Sequence, residues 1–175
     1  MPIEQYREVV LLLLVSIAAI NDLATRRIPN RLLLAGLVGG LVLHLLSASP
    51  GAALLSALGG MGVGLAMFLP FYLARGMAAG DVKLMAVIGI FSGPGDTFAI
   101  AVLTWCLGGL MALFLILLRR DRLRLALANI GNMITGAFTP GAGGWKLDKQ
   151  HSAGSMPYGL AMALGTIAIL VRHQA

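Results

Sequence analysis

The chain has 175 residues, 58% of them apolar and 11% charged, with a net charge of +6. A soluble domain carries about 25% charged residues, and a mean hydropathy of +0.89 is too high for a water-compatible surface, so composition excludes the soluble globular class. The basic residues form short clusters between apolar blocks, with no basic stripe carrying interleaved aromatics, which excludes nucleic acid as a partner.

The first apolar segment, roughly 4–21, begins with Glu4, Arg7 and Glu8 and is followed by Arg26 and Arg27. Charge after the run rather than before it predicts a retained helix with its N-terminus outside, not a signal peptide. The second segment, 32–47, carries Gly36, Gly39 and Gly40, and the third, 52–74, carries Gly59, Gly60, Gly62 and Gly64. Small residues let helices approach closely where lipid supplies no hydrophobic drive, so these glycines are read as packing positions. The fourth segment, 82–94, ends in the turn signal Ser92-Gly93-Pro94-Gly95-Asp96. The fifth is 97–118 and the sixth about 154–171.

A full span needs about 20 residues. Segments three, five and six reach that, and segment one does so with Arg7 or Glu8 at the interface. Segment four is short, but if it did not cross, the cluster from Arg119 to Arg124 would lie outside, against the positive-inside rule. Counting it as a span puts every Lys and Arg except Arg7 and Arg172 on the inner side. The expected fold class is therefore all-α membrane, a polytopic bundle of about six transmembrane helices. It forms one membrane-embedded domain over 1–175, with inner-face loops at 22–31, 75–83 and 119–153. Leu123, Leu127, Ile130, Ile134 and Phe138 share one face, which predicts an amphipathic helix on the inner membrane surface. The lipid bilayer is thus the first expected partner.

Chemistry-bearing residues are few. Cys106 is the single cysteine, so there is no internal disulfide and no Cys-rich zinc site. His44, His151 and His173 make no ligand spacing and are read as structural or tail residues. No metal and no cofactor is expected. Among the carboxylates, Glu4 and Glu8 lie near the N-terminus, Asp96 in a turn, and Asp121 and Asp148 among basic neighbours. Asp22 at the end of segment one and Asp81 at the start of segment four remain, both expected at the inner edge of the hydrocarbon, where ionisable groups are costly and often functional. Brought together, two carboxylates titrate as a pair and hold one shared proton near neutrality. That state suits peptide hydrolysis, with one member accepting a proton from water and the other donating to the scissile group. Spacing alone also allows Asp22 to pair with Arg26, four residues on, and Asp81 to cap a helix beginning at Val82.

The segment Asp22-Leu-Ala-Thr-Arg-Arg-Ile-Pro-Asn30 resembles the first-aspartate motif of the prepilin peptidases, the type IV leader peptidases. Gly80-Asp81-Val82-Lys83-Leu84 resembles the end of their Gly-x-Gly-Asp signature, and Met156-Pro157-Tyr158-Gly159 resembles the entry to their last helix. The resemblance implies an aspartic-type membrane endopeptidase with Asp22 and Asp81 as the catalytic pair, cutting leaders from prepilins or pseudopilins at the cytoplasmic face of the plasma membrane. Gly80, Lys83, Pro29, Asn30, Pro157 and Tyr158 are its implied substrate-binding or loop-shaping residues. Pro29 stops helical continuation and makes residue 28 extended. Gly80 lets the backbone approach a substrate strand, and Lys83 either biases the pair or sits at the headgroups. Pro157 suits a helix start, and Tyr158 an interface.

Ala78 stands where the family motif has its first Gly, and Leu160 where relatives often have Pro. Larger members carry a cysteine-paired insert after the first helix, linked to methylation; the connection 22–31 has none, so methylation is not implied. The short build resembles members that serve Flp (Tad-type) pili. Two other classes fit the composition: a non-peptidase scaffold of pilus assembly, and a small transporter with Asp22 and Asp81 lining an ion path. A transporter would carry polar groups deep within its spans, where this sequence has almost none.

Overall fold

A computed structural model describes residues 3–74, 76–118 and 158–174. Five helical elements occur among them, and no strand: α1 (Ile3–Thr25), α2 (Asn30–Leu45), α3 (Pro50–Leu73), α4 (Ala79–Leu118) and α5 (Tyr158–Gln174). The chain divides into two compact units, one of residues 1–107 with 157–175 and one of residues 108–156. Of the second unit, residues 108–118 are described, and they are helical. The amphipathic stretch expected at 123–138, the loop after it, His151 and Pro157 lie outside the described residues.

Helix α1 runs past its expected end at residue 21. It stops where Arg26 takes a left-handed conformation (φ 55°), and the Arg26 amide bonds back to the Asp22 carbonyl at 2.9 Å, an αL terminus. Pro29 is extended (φ −64°, ψ 128°) and caps α2, with its carbonyl accepting from the amides of Leu32 and Leu33. Helix α3 opens with Pro50 at its first position, where a missing N–H costs nothing.

Within the first unit, α1 packs along α5 and α2, and α2 packs against α3. The glycines sort by face. Gly36 and Gly40 of α2 meet Val87, Ile90 and Phe91, and Gly60 and Gly64 of α3 meet the α4 backbone at Gly89 and Met85. Spacing by four places each pair on one side of its helix. Gly39 and Gly62, which point elsewhere, face open space.

The contacts of α4 reveal a reversal. Gly60 lies against Gly89 and Gly93, and Gly64 against Met85, so residues 79–92 run antiparallel to α3. Phe68 and Phe71 then pack on Trp105, with ring centroids 6.0 and 5.3 Å apart, so residues 94–107 run parallel to it. The chain turns back at Gly93 (φ 75°, ψ 175°), a conformation essentially confined to glycine. Pro94 then starts the second arm. The turn expected across Ser92–Asp96 is compressed to one residue, because a positive-φ glycine followed by a helix-starting proline needs no loop.

Two buried threonines are satisfied within their own helices: Thr104 donates to the Ile100 carbonyl and Thr166 to that of Met162, at 2.7 and 2.8 Å. Outward faces carry exposed large apolar residues such as Leu13, Ile20, Leu34 and Leu55, the pattern of helices whose solvent is hydrocarbon. Among the described residues, three helices are long and apolar enough to cross a membrane: Glu4–Thr25, Pro50–Leu73 and Ala79–Phe114, the last counted through its break. Asn30–Leu45 and Tyr158–His173 are shorter apolar helices. Segment six was expected to span with ease, but its described part is one of these shorter elements, whereas α1 reaches full length because it continues to Thr25.

Candidate active site

Asp22 lies in the last turn of α1 and Asp81 in the first turn of α4. Both are buried, at 5% and 7% exposure, although each sits at a helix end where carboxylates usually face water. Helix α4 begins at Ala79, three residues before the expected start at Val82, so Asp81 is inside the helix and does not cap one beginning there. The 75–83 loop is correspondingly shorter.

The two carboxylates lie close enough to interact electrostatically. Asp22 Oδ2 accepts a hydrogen bond from the Gly159 amide at 2.8 Å, and Tyr158, the neighbouring residue, lies within electrostatic reach of Asp81. Three sequence-distant segments thus converge at one end of the first unit.

The surrounding motif residues have visible structural partners. Lys83 donates to Asn30 Oδ1 at 3.3 Å, tying the start of α2 to the first turn of α4. Gly80 faces Ile28, with a nearest approach of 3.5 Å for an added Cβ. That is ordinary contact, so packing alone does not demand glycine here. Gly80 is also helical, so its peptide groups do not form an open strand edge. Ala78 precedes the helix without a positive φ, so alanine replaces the motif glycine there without backbone strain. Tyr158 opens α5 and is half-buried.

Sequence reasoning missed Gly159 as a partner of Asp22. The Pro-Tyr-Gly signal was visible, but which of its atoms reached an aspartate was not. Among the described residues, no three His, Cys, Asp or Glu side chains converge as a metal site. A cavity of about 120 Å³ lies at the opposite end of the unit, lined by Glu4, Arg7, Glu8, Ser92, Asp96 and His173 among others. It is remote from Asp22 and Asp81.

The model of the type IV leader peptidase family matches residues 9–113, more than half of the chain. The chain belongs to that family. No curated protein and no solved structure matches it. As a member of the type IV leader peptidase family it is a peptidase of a membrane-bound group, in keeping with its long apolar helices. The matched region contains both Asp22 and Asp81 and ends before α5, so Tyr158 and Gly159 join the site from outside the part that defines this leader peptidase family.

Proposed function

We propose that the chain is an aspartic-type endopeptidase that removes leaders from type IV prepilins or pseudopilins, of the Flp (Tad) kind, with Asp22 and Asp81 as its catalytic pair. The observation that carries this reading is the burial of both carboxylates within electrostatic reach of each other. An aspartic pair of this kind works with one proton shared between its members. The ionised member takes a proton from water as its oxygen attacks the scissile carbonyl carbon. The protonated member donates to the carbonyl oxygen. Collapse of the tetrahedral intermediate then breaks the C–N bond, and a proton passes to the leaving amine.

In this proposal the chain crosses the plasma membrane six times with its N-terminus outside, counting the two arms of α4 separately. The Asp22 end then faces the cytoplasm beside Arg26, Arg27 and Arg31. These basic groups rest against anionic lipid, each contributing about 1 kcal/mol. A prepilin helix docks laterally in the bilayer and presents its leader junction to that end.

Co-expression of a type IV prepilin with wild type, Asp22→Asn and Asp81→Asn tests the reading by product size on a gel. Each substitution keeps side-chain volume and removes the titrating group, so processing is expected to fall below detection. Normal processing by either variant overturns the catalytic pair.

A further inference from the structure

The Gly159 amide and the Asp22 carboxylate meet across 137 positions of sequence at 2.8 Å, and both residues are buried. Gly159 is the second residue of α5, so its N–H is one of the first-turn amides that find no acceptor within their own helix. The aligned peptide dipoles also make that end of the helix positive. A carboxylate oxygen is the acceptor such a donor suits best.

Space at the contact is closed. A Cβ added at Gly159 would lie 3.0 Å from Asp22 Oδ2 and 3.0 Å from its Cβ. A side chain here would press on the carboxylate, which would have to give by a few tenths of an ångström to admit it. The bond occupies Oδ2 and leaves Oδ1 without that constraint. Asp22 otherwise hangs from the last turn of α1, three residues before the helix ends, so its orientation depends on what grips it.

We propose that the Gly159 N–H is a positioning group for peptide hydrolysis, holding Asp22 through Oδ2 so that Oδ1 is presented to the attacking water. This rests on the catalytic pair proposed above. It extends the working site beyond the two aspartate motifs to the start of α5, and it gives the Pro-Tyr-Gly glycine a defined task. A group that orients a base without binding substrate acts on turnover and leaves substrate affinity unchanged.

The test uses the full chain in detergent or nanodiscs and a synthetic peptide spanning a type IV prepilin leader junction. Replacing Gly159 by glycolic acid turns the amide into an ester, removing the donor without adding bulk. Gly159→Ala keeps the donor and pushes on the carboxylate. The ester variant is expected to lose about ten- to a hundred-fold in kcat, the scale of one hydrogen bond to a charged group, with KM unchanged. Gly159→Ala is expected to lose at least as much, and should it fail to fold, the ester variant carries the test. Wild-type kcat in the ester variant, with Asp22→Asn inactive beside it, overturns the positioning role and leaves the catalytic pair standing. A loss confined to KM also overturns it, since Gly159 would then shape substrate binding. Cleavage by Asp22→Asn or Asp81→Asn removes the catalytic pair itself, and the proposal with it.

Discussion

His44 illustrates how a polar side chain is kept inside this bundle. It is 2% exposed, with Nε2 2.7 Å from the Ile90 carbonyl and Nδ1 3.2 Å from Arg7 Nη1. A carbonyl can only accept, so Nε2 carries the proton and donates; Nδ1 then accepts from Arg7. Arg7 in turn bonds Glu4 at 2.9 Å. One ring therefore links α1, α2 and the first arm of α4. His44→Leu preserves bulk but strands the Ile90 carbonyl and one Arg7 donor, each costing about 1–3 kcal/mol when buried. The purified variant is expected to unfold several degrees lower in a thermal scan, while cleavage at permissive temperature persists because the aspartates lie at the other end. Unchanged stability would mean that water replaces the ring without loss.

At the scale of elements, the reversal of α4 depends on one residue. Gly93 has φ 75° and ψ 175°, and an added Cβ would lie 2.8 Å from Ser56 Oγ. Gly93→Ala is therefore expected to cost about 1–3 kcal/mol from backbone conformation alone, measured as a lower denaturation midpoint and reduced membrane yield. A variant as stable as wild type would mean that the chain reverses elsewhere. The sequence marked this place well, since Ser-Gly-Pro-Gly-Asp is a strong turn signal, and the reversal falls inside it. Packing glycines were equally readable as a class, because small residues recur at helical spacing. Their partners were not: nothing local distinguishes Gly60, which meets the Gly89 backbone, from Gly62, which meets nothing. Helix ends shifted by a few residues for a related reason. Asp22 and Asp81 looked like boundary residues because charge usually marks a boundary, yet burial by neighbouring segments lets the helices run past them. The aspartates themselves stood out because few carboxylates compete for notice. The Gly159 contact did not, because the glycine of Pro-Tyr-Gly carries no mark of the distant aspartate that its amide meets.

At the largest scale, the helix directions within the first unit separate two polar ends. Asp22, Asp81, Asn30, Lys83 and Gly159 gather at one; Glu4, Arg7, His44, Asp96 and His173 gather at the other. The proposed orientation assigns the first to the cytoplasm. In a Cys106→Ser background, a cysteine placed at Ser49 is expected to react with a membrane-impermeant maleimide added to intact cells, and one placed at Thr25 is not. The reverse labelling pattern would invert the orientation.

Helix lengths impose a condition on the surrounding lipid. At 16 and 17 residues, α2 and α5 reach only about 24–26 Å, against a hydrocarbon layer of about 30 Å. In the six-span topology proposed above both helices cross, and crossing helices this short draw the leaflets toward each other, dimpling the bilayer around the protein. In that topology the dimple brings headgroups and their water closer to the carboxylates at the inner edge of the hydrocarbon. Turnover is accordingly expected to rise in vesicles of shorter-chain lipids and fall in thicker ones, as read by initial cleavage rates at matched protein density. Rates indifferent to chain length would indicate that hydration reaches the aspartates through the protein interior instead.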